Sequence, residues 1–404
     1  MWYVESVNLL PRTRTPPEGL DSSTKGRIEP CVEQGIVAVP QKVGTMSTVD
    51  VVIPCYNYAR YLRACVHSVL SESAVAVRVL VIDDASSDHT AQIGQELAAS
   101  DNRVEFRRHA VNKGHIATYN EGIEWLSADY MLILSADDYL LPGALSRAVR
   151  LMDAHPAVGF VFGKAIETDD QGTPSLTTIT KEEHWRVLTG LEFIERSGSS
   201  SIVPTPTAVV RAELQKRAGG YRPELPHSGD MEMWLRLAAH SSVGIVESLQ
   251  AVYRRHESNM SSAYYKTEGS LPDLEQRKTA LEFFFRTCSF MVPNAEQLRG
   301  RLFRALSREA IGLASSALNE GNPAVSERLS EWALQVFPDI RKSFPWATLW
   351  CKRHIPGPAL RALQPASACI RQLRSFTKRK RLASYFTTIE HGREPVDPRE
   401  VLDS

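Results

Sequence analysis

Between residues 49 and 162, short apolar runs alternate with stretches of helical spacing, and this alternation restricts the fold more than any other feature. Val49-Asp50-Val51-Val52-Ile53 reads as a buried strand halted by Pro54, whose ring removes a ladder donor. Tyr58, Tyr61, Leu62, Cys65, Val66 and Val69 then recur at helical spacing. Val77–Ile82 reads as a second strand, followed by a helix over 90–99 and a short third strand at Val104–Phe106. Ile116, Tyr119, Ile123 and Leu126 mark the next helix, and Tyr130–Leu134 the fourth strand. Pro142 is expected at the first position of a helix with Leu145, Ala148, Val149 and Met152 on one face, and Val158–Phe162 as a fifth strand. Such cycling implies an α/β fold, with a Rossmann-like, mostly parallel sheet carrying helices on both faces. Ligands of these sheets sit outside the carboxyl ends of the strands.

Later segments are less regular. A turn is expected at Asp169–Gly172, a strand at Thr207–Val210, a helix from Gly229, and a last strand at Leu249–Tyr253. Beyond about 270 the pattern is helical over 273–290, 295–317 and 322–337, with Gly321-Asn322 as a turn and Pro323 opening the next helix. The expected organisation is a disordered leader over 1–45, an α/β domain over 46–265, a helical region over 266–340 and a basic tail over 341–404. Met46 stands just ahead of the first strand and is a candidate start; peptides from 1–45 in the native protein would refute that.

Charge and cysteine usage narrow the class. Lys and Arg balance Asp and Glu at 47 each, but residues 341–404 hold thirteen of the basic and five of the acidic ones. A mildly acidic body argues against nucleic acid as a partner, while the basic tail leaves room for peripheral contact with an anionic membrane. The six cysteines show no metal-ligand spacing, so reduced thiols and a cytoplasmic setting are expected. No apolar run approaches the roughly 18 residues that span a bilayer.

Two acidic pairs end strands two and four, Asp83-Asp84 and Asp137-Asp138. Each alone could be a turn or a helix cap. Adjacent carboxylates repel, however, and a fold gains little from them, whereas a divalent cation offsets the repulsion and takes substrate phosphates as further ligands. A carboxylate at the end of strand two can also accept from a base N–H or a ribose hydroxyl. Two pairs at two strand ends point to an acidic site for a nucleotide and a metal.

Val51–Tyr58, Val81–Asp88, Asn112-Lys113-Gly114 with Asn120, and Leu134–Asp138 occur in this order and together resemble family 2 glycosyltransferases of GT-A fold. The resemblance covers about residues 47–260. It implies that Pro54, Tyr56 and Asn57 line a base pocket, that Asp84 with Asp83 reads the base, and that Lys113 and Gly114 border it. It also implies that Asp137 and Asp138 serve ribose and a Mg²⁺ or Mn²⁺ ion, although the motif here is Ala-Asp-Asp rather than Asp-x-Asp. Gly229-Asp230 resembles the family's acidic helix start, which makes Asp230 the expected base for an inverting transfer, with Glu232 next in line; Asp230 as a helix cap is the alternative. Tyr253-Arg254-Arg255-His256 resembles the loop closing on the pyrophosphate, so Arg254, Arg255 and His256 are expected there. Lys113 and His115 read equally well as site residues or as solvated loop, and His89 reads as surface.

The expected partners are a nucleoside-diphosphate sugar and a carbohydrate or lipid-linked acceptor, as in surface polysaccharide or glycolipid assembly; nothing in the sequence speaks to oligomeric state. A nucleotidyltransferase or a Rossmann dehydrogenase would want a glycine-rich loop after strand one, and Cys55–Arg60 has no glycine. A catalytically silent binding module of the same fold remains as the alternative from another class.

Overall fold

The computed structural model describes residues 46–168, 184–256, 259, 264 and 270–354. The expected leader, the Asp169–Gly172 turn and the tail beyond 354 lie outside the described residues. The first half runs β1 (Thr48–Cys55), α1 (Ala59–Leu70), β2 (Ala76–Asp83), α2 (Thr90–Ser100), β3 (Val104–Arg108), α3 (His115–Trp125), β4 (Tyr130–Ile133), β5 (Tyr139–Leu140), α4 (Ala144–Ala154) and β6 (Val158–Thr168). It continues with β7 (Trp185–Leu188), α5 (Gly190–Ser197), β8 (Val209–Arg211), α6 (Ala212–Ala218), α7 (Gly229–Ala239) and β9 (Ser242–Arg254). Four longer helices follow: α8 (Leu271–Cys288), α9 (Ala295–Asn319), α10 (Pro323–Val336) and α11 (Phe344–His354).

The strands form one sheet in the order β3-β2-β1-β4-β8-β6-β9-β5, with β7 also on β9. β1 pairs in parallel with β2 on one side and β4 on the other. The chain therefore reverses its direction of travel across the sheet at β1, and the ends of β1, β2 and β4 open into one crevice. Beyond β4 the sheet is mixed: β8 runs antiparallel to β4 and β6, and β9 lies parallel to β6 but antiparallel to β5 and β7. The α/β class and the helical C-terminal region agree with expectation; the antiparallel pairings in the second half were not anticipated.

Both faces of the sheet are buried, and the two-residue period of β1 shows how. Val49, Val51 and Ile53 face a core built with Leu62, Cys65, Val66 and Val69 of α1 and Leu145, Ala148 and Val149 of α4. Val52 faces the other core, with Ile116 and Ile123 of α3. A Cβ on Gly122 would stand 2.3 Å from Val52 Cγ1, so only glycine lets α3 lie this close to β1. Leu274, Leu281 and Phe284 of α8 belong to the same core as Met233 and Trp234 of α7. The helical region thus shares its core with the α/β layer.

Two local expectations need correction. β1 does not stop at Pro54 but runs on to Cys55, since the proline carbonyl still accepts the Ala136 N–H at 3.3 Å. Helix α4 begins at Ala144 rather than Pro142, with Gly143 ahead of it at φ 77, a left-handed turn that proline cannot make. The α9–α10 turn is as expected, with Pro323 opening the helix and the Asn322 side chain accepting the Val325 N–H.

Candidate active site

The end of β1 and the 112–114 loop enclose a cavity of about 470 Å³ lined by Pro54, Tyr56, Asn57, Asp84, Asn112 and Gly114 among others. Asn57 takes the left-handed φ of 60 that asparagine tolerates, and its Oδ1 accepts the Ser87 N–H at 2.9 Å, tying the β1 end to the β2 end. Asp84 braces the pocket wall. Its Oδ1 accepts the Lys113 N–H at 2.7 Å and meets His109 Nδ1 at 2.7 Å, while Oδ2 accepts the Gly114 N–H at 2.8 Å. His109 reaches Glu121 on its other side at 2.9 Å. Asp83 is fully buried beneath the pocket, where Oδ1 accepts the Ser86 N–H at 2.9 Å and Oδ2 lies 3.4 Å from Arg108 Nε. The Lys113 ammonium turns to Glu121 at 3.4 Å. Asp83 and Lys113 therefore shape the pocket without lining it.

The second acidic pair is buried as well. Asp137 and Asp138 are 5% and 3% exposed. Asp138 Oδ1 accepts the Arg254 N–H at 2.9 Å, and burial, then the neighbouring Asp137 charge, push its carboxyl well above the usual carboxylate range. Asp137 Oδ2 faces His256 Nε2 at 3.1 Å, and its Oδ1 is buried without a hydrogen-bond partner among the described residues. The His256 ring is stacked on Tyr61, with centroids 5.6 Å apart. Of the Arg254, Arg255 and His256 side chains, that of His256 hydrogen-bonds into this corner. The Arg254 guanidinium lies over the Tyr61 and Tyr139 rings, and Arg255 is drawn to Glu167 at 2.7 Å.

This corner suits a divalent cation. The two carboxylates are donors that Mg²⁺ or Mn²⁺ accepts, and Asp137 Oδ1 is a buried acceptor without a hydrogen-bond partner among the described residues. The described residues contain no ready-made cage of three or more ligands. A cation held by few protein groups and completed by substrate phosphates needs none.

Asp230 sits in the first turn of α7 and shares a cavity of about 160 Å³ with Asp137, Asp138, Tyr58, His115 and Tyr253. Its Oδ2 accepts from Thr205 Oγ1 at 2.9 Å, and the Tyr221 hydroxyl donates to it as well. Burial pushes its carboxyl above the ordinary value, against the pull of these hydroxyls and of His115 and His227. Tyr221 is placed by Asn120, whose amide accepts the Tyr221 N–H at 2.6 Å and donates to its carbonyl at 2.9 Å. Thr205 and Tyr221 carry no sequence signal of their own, because neutral hydroxyls acquire a role only from what they face. The Asn120 position, in contrast, was legible.

Glu232 has a different task. It is buried and accepts from Arg222 Nε at 2.9 Å and Arg236 Nη2 at 2.8 Å, which removes it as a candidate base. Breaking a buried pair leaves an uncompensated charge, so Glu232→Ala should lower unfolding stability by about 3 kcal/mol. Urea denaturation measures this, and a change below about 1 kcal/mol would mean the pair behaves as a surface one.

The model of glycosyl transferase family 2 matches residues 50–217. An uncharacterized protein of Mycobacterium tuberculosis is 29% identical over 218 residues, covering 52% of this chain and 67% of that protein. The hyaluronan synthase of Pasteurella multocida is 23% identical over 222 residues, covering 54% of this chain and only 22% of the synthase. Among solved structures, S. aureus TarS 1-349 in complex with UDP-GlcNAc is 19% identical with a TM-score of 0.48, covering 73% of this chain and 92% of that one. Both acidic pairs stand at strand ends inside the matched residues, and segment 50–217 of this chain is a family 2 glycosyltransferase segment.

Proposed function

We propose that the chain transfers a sugar from a nucleoside-diphosphate donor to a hydroxyl acceptor with inversion at the anomeric carbon. One observation carries this: Asp230 lines the same cavity as Asp137 and Asp138, next to the pocket walled by Pro54, Tyr56 and Asp84. The nucleotide base lies against Tyr56 and Pro54, with Asp84 and the loop it braces bordering it. Asp137 and Asp138, with His256, would hold Mg²⁺ or Mn²⁺. When bound, the cation supplies charge neutralisation for the departing diphosphate.

Asp230 accepts the acceptor's proton as its oxygen attacks the anomeric carbon from the face opposite the nucleotide. The hydroxyls of Thr205 and Tyr221 hold the carboxylate toward the cavity. A single displacement needs one base and no covalent intermediate, which matches a site with one carboxylate facing the two held for the cation. Relatives named as hyaluronan and chondroitin synthases support an acceptor that is a growing glycan in surface polysaccharide or glycolipid assembly. No helix among the described residues is long and apolar enough to cross a membrane; we place the reaction on the cytoplasmic side.

Thermal shift with UDP-, GDP- and dTDP-sugars, with and without Mn²⁺, tests the reading. At a hundredfold excess over Kd a true donor stabilises the fold by about 2.7 kcal/mol, several degrees in Tm. One base should stand out and depend on Mn²⁺; silence from every donor would sink the proposal.

A further inference from the structure

Helix α8, like Asp230 itself, lies beyond the segment that the family model matches, and it grips the residues just ahead of Asp230. Gln276 Oε1 accepts the His227 backbone N–H at 3.0 Å, and Gln276 Nε2 donates to the Glu224 carbonyl at 3.3 Å. Asp273 Oδ1 meets His227 Nε2 at 2.9 Å, where each side chain is only 8% exposed. The His227 ring is stacked on Tyr264 with centroids 4.0 Å apart and planes 9° from parallel. A ring held by one edge and one face has a single orientation. In that orientation it lines the cavity beside Asp230 and is among the groups that favour the ionised base.

Asp273 is itself anchored. Its Oδ2 lies 2.9 Å from Arg277 Nε, and the Arg277 guanidinium makes two bonds to Glu309 of α9, at 3.0 and 2.7 Å, and one to the Ser199 carbonyl at 3.0 Å. Asp273 and Arg277 are buried while Glu309 is exposed, and a buried ion pair seldom stabilises a fold more than apolar packing of equal volume. Folding energy alone therefore explains the chain poorly, whereas holding an imidazole in one pose beside a reacting group calls for such a fixed support.

We propose that Asp273 is a positioning residue for sugar transfer: from the helical region it fixes the His227 imidazole beside Asp230, and so makes that region part of the catalytic unit. The inference rests on reading Asp230 as the base.

Steady-state hydrolysis of UDP-glucose, UDP-N-acetylglucosamine, GDP-mannose and dTDP-glucose by the full chain with Mn²⁺ tests it, with water as the acceptor. Asp273→Ala should lower kcat roughly ten- to hundredfold at unchanged KM, the size of effect that misplacing a reacting group produces. Asp273→Asn, whose amide oxygen still accepts from His227, should restore most of the lost rate. The double variant His227→Ala/Asp273→Ala should be no slower than His227→Ala, because both changes remove one device. Equal losses in the Asn and Ala variants, additive losses in the double variant, or a rise in KM alone would each overturn the inference. Should Asp273→Ala not fold, His227→Ala decides: an undiminished kcat overturns the proposal. Wild-type turnover with a fully active Asp273→Ala refutes the positioning role alone, whereas no wild-type turnover on any donor refutes the reading beneath it as well.

Discussion

Asp230→Asn should lower turnover by about 10³-fold, within the range that a positioned general base contributes, and leave nucleotide affinity unchanged. The asparagine amide keeps the shape of the carboxylate and still accepts from Thr205 and Tyr221, so the fold around the first turn of α7 should persist. What is lost is the ability to take a proton. The pH profile gives a second readout. Burial raises the Asp230 carboxyl above its ordinary value. The base form therefore disappears at a higher pH than for a solvated aspartate, and kcat/KM should begin to fall above the ordinary carboxylate range as the pH is lowered. A rate that stays flat down through that range, or an Asp230→Asn variant of normal activity, would remove Asp230 from the mechanism.

The second large effect is expected at Asp138, and it has opposite signs for activity and for stability. A folded-state carboxyl raised above its unfolded value binds more protons in the folded protein, so stability falls as pH rises between the two values. At neutral pH the Asp138 carboxyl, buried next to Asp137, is thus a cost to the metal-free fold. Asp138→Asn removes that cost and still accepts the Arg254 N–H, so it should melt higher than wild type at neutral pH, with the gap closing as the pH is lowered. Turnover should drop at least about 10²-fold, because a cation at a departing diphosphate contributes several kcal/mol. Mn²⁺ should raise the Tm of the wild type and leave that of the variant almost unmoved. A variant that melts lower than wild type without metal would show that the two carboxylates are held there for structure.

The parts of the fold that could be read from residues were those with a one-dimensional signature. The apolar runs of β1, β2 and β4 mark strands buried on both faces, and the apolar face of α1 repeats at the helical period, so the crevice at their ends followed directly. The second half of the sheet lacked such a signature. β8 spans Val209–Arg211 and β5 only Tyr139–Leu140, too short to show a period, and each is a strand because a neighbour supplies its ladder. Helix α7 is buried nearly all round, with even Glu232 and Arg236 inside, so its apolar stripe did not distinguish the ionic face from the cavity face. Within the site, residue type and strand end singled out Asp84, Asp137 and Asp138 as candidates, and the likeness of a helix start singled out Asp230. Orientation was beyond reach: nothing local says that Asp83 turns under the pocket, that Arg255 turns out to Glu167, or that Asp273, forty residues and more away, touches the segment before the base.

The two halves of the crevice close over very different spans of chain. Asn57 with Ser86 and Ser87, and Asp84 with Lys113 and Gly114, join residues 29 and 30 positions apart. Asp138 with Arg254, and Asp137 with His256, join residues 116 and 119 apart. A ribosome delivers roughly 5–20 residues per second, so the nucleotide pocket has its parts several seconds before β9 emerges. The acidic corner stays open to water until that strand seats. On the proposed reading, the walls of the base pocket are thus synthesised well before the strand that completes the acidic corner.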